Sequence, residues 1–83
     1  MTMTQAEITS VLQELLHKIA PEVDLARVEP GESLREALDI DSFDFVNFLG
    51  GIHDKLGVDV PETDYGKVRT LSQLVNYLSA RIK

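Results

Sequence analysis

Few side chains in this sequence could do chemistry: two histidines, some closely spaced carboxylates, and a serine between Asp41 and Phe43. His17 and His53 lie in separate segments, and nothing in the pattern brings them together, so each reads as a helix-surface residue. The chain has no cysteine, so no disulfide, zinc site or thiol nucleophile is expected. No glycine-rich phosphate loop, HExxH or GxSxG pattern is present. Asp39 and Asp41 could flank a metal ion. They read more simply as an acidic cluster at a helix start, interacting with the helix dipole, and no metal site is expected. Without a catalytic constellation the chain is not expected to be an enzyme.

Ser42 stands apart by its position. Asp41 is a favourable N-cap, which puts Ser42 in the first turn of a helix. A phosphodiester built on its hydroxyl would sit near free backbone N–H groups and the positive end of the dipole. A serine there is also open to a modifying enzyme. On these residues alone it reads more simply as an ordinary helix-start serine, since Asp-Ser pairs at helix starts are common. Phe43 adds to the signal, because a large aromatic off the apolar arc needs a reason. It either folds back onto the preceding loop or serves as a contact for partners.

The elements that must hold this segment are legible from periodicity and caps. Thr4 to Glu7 reads as a capping box, and Ile8, Val11, Leu12, Leu15, Leu16 and Ile19 follow at three- and four-residue steps. Pro21 ends that helix, so it spans roughly 5–19. Residues 21–40 form a long connection with scattered apolar residues, a Pro30-Gly31 turn and a possible helical turn over Ser33–Leu38. A loop of this length is often functional. The second strong helix runs from Ser42 to Leu56, where Gly57 ends it. Phe45, Val46, Phe48, Leu49, Ile52 and Leu56 share one arc of it; Asp44, Asn47, Asp54 and Lys55 lie opposite. Val58–Val60 is short and extended, and Glu62–Lys67 suits a brief third helix after Pro61. Thr70 to Gln73 is a second capping box, opening a final amphipathic helix through Leu71, Leu74, Val75, Leu78 and Ile82. The fold expected is an all-α four-helix bundle: three longer helices, a short third helix, and a long loop between the first two.

At 83 residues the chain is read as a single domain, 1–83. A domain this small buries only about 60% of its unfolded surface, which leaves little room for a deep catalytic cleft. Fourteen acidic against eight basic residues give a formal charge of −6. That repels a nucleic-acid backbone and attracts a basic patch on a protein partner; it serves solubility equally well. No apolar run approaches membrane-spanning length, so no membrane insertion is expected, and a cytoplasmic monomer is the default.

The segment Leu38-Asp39-Ile40-Asp41-Ser42-Phe43 resembles the acyl carrier protein attachment motif of Leu-Gly, any residue, Asp-Ser-Leu. Val58-Asp59-Val60-Pro61 resembles the segment after the family's second helix, and Lys67-Val68-Arg69-Thr70-Leu71 its step into the last helix. Helix order and lengths agree over nearly the whole chain. The differences are Asp39 in place of Gly, Phe43 in place of Leu, and a second helix whose acidic face is diluted by Asn47, His53 and Lys55 and interrupted by Gly50-Gly51.

The resemblance implies that a phosphopantetheinyl transferase moves 4′-phosphopantetheine from coenzyme A to Ser42. Asp41 would position the transferase or its magnesium ion, and the activating base would belong to the transferase. The carrier then holds an acyl thioester on the arm's thiol and presents it to acyl-loading, elongating or acyl-transferring enzymes. Fatty acid, lipid or polyketide-type synthesis is the setting implied, and the differences point to a specialised pathway. Phe43, Asp44, Asn47, Gly50, His53 and Asp54 form the expected partner face. Phe45, Val46, Leu49 and Ile52 either line a space for the acyl chain or are plain core. The alternatives to a free-standing acyl carrier are an aminoacyl or peptidyl carrier with the same arm, and an unmodified helical adaptor.

Overall fold

The structure is a computed structural model and describes residues 3–82; the ends of the expected domain, Met1, Thr2 and Lys83, lie outside the described residues. Helix α1 spans Gln5–Ile19. Its capping box forms as the sequence predicts: Glu7 N donates to Thr4 Oγ1 at 3.1 Å and Thr4 N to Glu7 Oε1 at 3.0 Å. The helix ends at Ala20, whose φ of −140° leaves the helical region directly before Pro21. Helix α2 is Leu34–Leu38, α3 is Ser42–Leu56 and α4 is Leu71–Arg81. Among the described residues there is no strand, only an isolated antiparallel bridge between Ser33 and Thr70.

Helix α1 packs against α3 and α4. Ile8, Leu12 and Leu16 meet Phe48 and Ile52 of α3 and Leu74 and Leu78 of α4 in one core, each essentially inaccessible to solvent. The long connection closes that core with Leu25, Val28, Leu34, Leu38 and Ile40. It is better organised than the sequence predicts. A 3₁₀ turn forms at Leu25–Arg27, capped by Asp24, and the helical turn over 34–38 is α2. The brief third helix at Glu62–Lys67 is present as a 3₁₀ helix.

A buried connection needs partners for its peptide groups. The Gln13 side chain supplies two, accepting from Leu25 N at 2.6 Å and donating to Val23 O at 3.3 Å. At its far end Leu34 N donates to Arg69 O at 2.8 Å and Ser72 N to Pro30 O at 3.0 Å. The loop is thus fastened to α1 at one end and to the start of α4 at the other.

The turn that aims Ser42 is a Schellman turn at the end of α2. Ile40 N donates to Arg35 O and Asp39 N to Glu36 O, with Asp39 in the left-handed region at φ 53°. Among the described residues Asp39 is the sole non-glycine there. The Gly at this position in the attachment motif that the segment resembles therefore has a physical reason: a side chain is strained at this backbone angle, which Asp tolerates better than most. Asp39→Gly should raise stability by about 0.5–1 kcal/mol and Asp39→Val should lower it by about 1–2 kcal/mol. The midpoints of urea titrations at unchanged slope would check both.

Candidate functional site

Asp41 caps α3 from an extended backbone (φ −85°, ψ 178°), and its Oδ1 accepts from Asp44 N at 2.8 Å. Ser42 is the first helical residue and is exposed. Among the described residues its hydroxyl makes no hydrogen bond, and neither its amide nor that of Phe43 donates one, as expected of a helix's first turn. A free hydroxyl beside free N–H groups at the positive end of a 15-residue helix is a fitting seat for a phosphodiester.

Ser42 lies on the rim of a cleft of about 650 Å³. One wall is α2 and its turn, with Arg35, Glu36, Asp39 and Ile40; the other is the 62–67 segment, with Tyr65 and Gly66; Phe45 and Val46 complete it from α3, and Arg69 from the approach to α4. Phe45 is buried and meets the Tyr65 ring edge-on, centroids 6.3 Å apart at 88°. The 62–67 wall buries no residue of its own. It is held from behind instead, where Tyr77 of α4 donates its hydroxyl to Asp64 Oδ2 at 2.6 Å. That bond keeps the Asp64 carboxyl below its usual range and raises the Tyr77 hydroxyl. Lys67 and Arg81 add ion pairs to Asp64 at 3.4 and 3.9 Å.

The expected partner residues fall on one side of α3. Phe43 is 72% exposed, Asn47, Gly50, His53 and Asp54 are exposed, and Asp44 is half-buried. The structure corrects Val46, expected in the core arc. It is 45% exposed, because the buried arc is centred on Phe45, Phe48, Leu49 and Ile52, and at 3.6 residues per turn Val46 falls roughly 110° from that centre. Val46 thus lies three residues from Phe43 and extends the apolar part of the outer face toward the cleft. Leu49 and Ile52 are core. His17 and His53 are both exposed and sit on different helices. Among the described residues no three His, Cys, Asp or Glu side chains could hold a metal ion.

Gly50 and Gly51, which together interrupt the second long helix in the sequence, have separate roles. A Cβ on Gly50 would meet open space, whereas one on Gly51 would sit 3.1 Å from Leu15 Cδ2 on α1. Gly51 is where two helices approach closely, and Gly50 alone belongs to the outer face. Gly50→Ala should stabilise by about 0.5–1 kcal/mol through helix propensity. Gly51→Val should destabilise by about 1–3 kcal/mol through overpacking against Leu15. Thermal or denaturant unfolding of the two variants would separate them.

Of the residues that build the cleft, sequence reasoning did not find Arg35, Arg69 or Tyr65. Their grouping depends on contacts between segments some thirty residues apart, and no local pattern signals it.

These features define a small helical domain with an exposed serine on a cleft and an exposed helix face beside it. The family model of the phosphopantetheine attachment site matches residues 6–78. Acyl carrier protein from Thermobifida fusca is 33% identical over 78 residues, covering 94% of this chain and 98% of that protein. A meromycolate extension acyl carrier protein from Mycolicibacterium smegmatis is also 33% identical over 78 residues, 94% of this chain and 78% of its own length. Acyl carrier protein from Acidothermus cellulolyticus is 27% identical over 79 residues, 95% and 93% of the two chains. The chain belongs to the acyl carrier protein family. Its cofactor is a covalent 4′-phosphopantetheine, its partners are acyl-handling enzymes, and it is a carrier rather than an enzyme. Among the described residues no helix is long and apolar enough to cross a membrane.

Proposed function

We propose that Ser42 is the attachment point of the arm, in a single carrier domain over 1–83 that works as a cytoplasmic monomer. The observation that carries the reading is the exposed Ser42 hydroxyl, without a hydrogen bond among the described residues, in the first turn of α3 directly after the Asp41 cap. In loading, Ser42 Oγ forms a bond to phosphorus as the bond to the adenosine bisphosphate part of coenzyme A breaks. The serine proton leaves to a base of the phosphopantetheinyl transferase. Asp41 Oδ2 has no protein donor among the described residues, so it is available to the transferase or its magnesium ion. Once bound, the arm supplies the thiol that carries acyl groups as thioesters.

Phe43, Asp44, Asn47, Gly50, His53 and Asp54 form the docking face, with Val46 beside them. The face is not densely acidic: Asp44 and Asp54 stand some ten residues apart on α3, Lys55 follows Asp54, and the most exposed large side chain is Phe43. Apolar contact therefore weighs more in docking than it would on a densely acidic face. This face, and the presence of meromycolate extension carriers among the relatives, support a place in a specialised lipid pathway.

The test is incubation with coenzyme A and a broad-specificity transferase, followed by peptide mapping by mass spectrometry. One phosphopantetheinyl group is expected, on the peptide holding Ser42. A group on Ser33 or Ser72 would overturn the site; no group at all would favour an unmodified adaptor.

A further inference from the structure

The cleft beside Ser42 is unusual for so acidic a protein in carrying two arginines. Arg35 and Arg69 are far apart in the sequence but lie on backbone segments that pair where Leu34 N bonds to Arg69 O and Ser33 bridges Thr70. Arg69 is further fixed by its own N–H, which donates to Gln73 Oε1 at 3.1 Å. Both side chains are exposed and both line the cleft that Ser42 shares. The nearby cations Lys67 and Arg81 pair with Asp64. Among the described residues Arg35 and Arg69 pair with no carboxylate, although Glu36 and Asp39 line the same cleft. Two guanidinium groups facing a space without an anionic partner suit a phosphate, which they bind through charge-assisted, often bidentate hydrogen bonds.

A phosphodiester on Ser42 Oγ is the anion that must be present there, because it is bonded to the rim of the cleft. Tethering puts its effective concentration at about the millimolar level, so even weak pairing with an exposed guanidinium is populated. We propose that Arg35 and Arg69 are positioning residues for the arm: they hold its phosphodiester at the cleft mouth, so that the resting arm follows the cleft between α2 and the 62–67 segment. The free amides of Ser42 and Phe43 act on the same phosphate from the helix side. Glu36 and Asp39 oppose a second negative charge in the cleft, which keeps the hold weak enough for a partner enzyme to lift the arm. This inference rests on Ser42 as the attachment site and adds the direction in which the arm leaves it.

The experiment compares apo and holo protein by 1H–15N and 31P NMR, in the wild type and in Arg35→Gln/Arg69→Gln, with the arm on Ser42 verified by mass in each. In the wild type, apo-to-holo amide shifts are expected at Arg35, Tyr65, Gly66 and Arg69 as well as near Ser42. In the double variant they should shrink to residues 41–44, and the phosphodiester 31P resonance should move. Arg35→Lys/Arg69→Lys should restore part of the pattern, since charge returns without the planar fork. Unchanged apo spectra outside the substituted residues would show that the variants keep the fold. Wild-type shifts confined to 41–44, or the same pattern in the double variant, would overturn the inference while leaving Ser42 as the site. Absence of the arm from Ser42 would instead overturn the attachment reading, and this inference with it.

Discussion

Phe48→Ala should lower the folding stability by about 3–5 kcal/mol, whereas Phe43→Ala, on the same helix, should lower it by less than about 1 kcal/mol. Phe48 is 1% exposed and is among the largest fully buried side chains, packed where α1 and α3 meet. Truncating it removes both the transfer energy of the ring and the contacts of the residues around the void. A domain of this length holds roughly 4–12 kcal/mol in total, so the variant should be substantially unfolded in mild denaturant. Phe43 is 72% exposed and loses little packing. Its truncation should show in function instead, as slower loading or acyl transfer. Urea titrations of both variants, read with the transfer rate from one partner enzyme, check the pair. A core-sized loss at Phe43 would show that the ring folds onto the loop and is not a docking contact.

How far the fold was legible follows from how local each signal is. Both limits of α1 and the start of α4 were readable because a capping box and a proline act within one turn, and Thr4, Glu7, Thr70 and Gln73 form the predicted bonds; no such signal marks the end of α4, whose apolar stripe runs on to Ile82 while the helix stops at Arg81. The start of α3 was readable from Asp41 for the same reason, and its end from Gly57, which takes φ 70°. Phe43 off the core was readable from the helical wheel. Val46 was not, because it sits at the edge of the arc, where only the placement of neighbouring elements decides between core and surface. The two glycines could not be told apart without knowing that Leu15 lies against one of them. The ordering of residues 21–40 depends on Gln13, whose side-chain amide satisfies the loop backbone from a distance of ten or more residues. Polar residues on an amphipathic helix look alike in sequence, so nothing marked this one. The Arg35–Arg69 pair is legible only once the chain segments carrying them are seen to bond.

Substitutions at Asp41 and Ser42 should separate what holds the helix from what receives the arm. Ser42→Ala should abolish loading while changing stability by no more than about 0.5 kcal/mol, since the hydroxyl is exposed and makes no internal hydrogen bond among the described residues. Alanine is also the better helix former at that position. Asp41→Ala should cost about 1 kcal/mol, because the 2.8 Å bond to Asp44 N is lost and a helix donor is left uncapped. Its effect on loading would then mix a frayed helix start with a lost carboxylate. Asp41→Asn resolves the two, since asparagine caps about as well as aspartate but carries no charge. If the carboxylate engages the transferase or its magnesium ion, Asp41→Asn should retain wild-type stability and load markedly more slowly. Thermal unfolding and a time course of intact mass provide the two readings. Loading of Asp41→Asn at the wild-type rate would reduce Asp41 to a cap. Loading of Ser42→Ala would remove Ser42 from the site altogether.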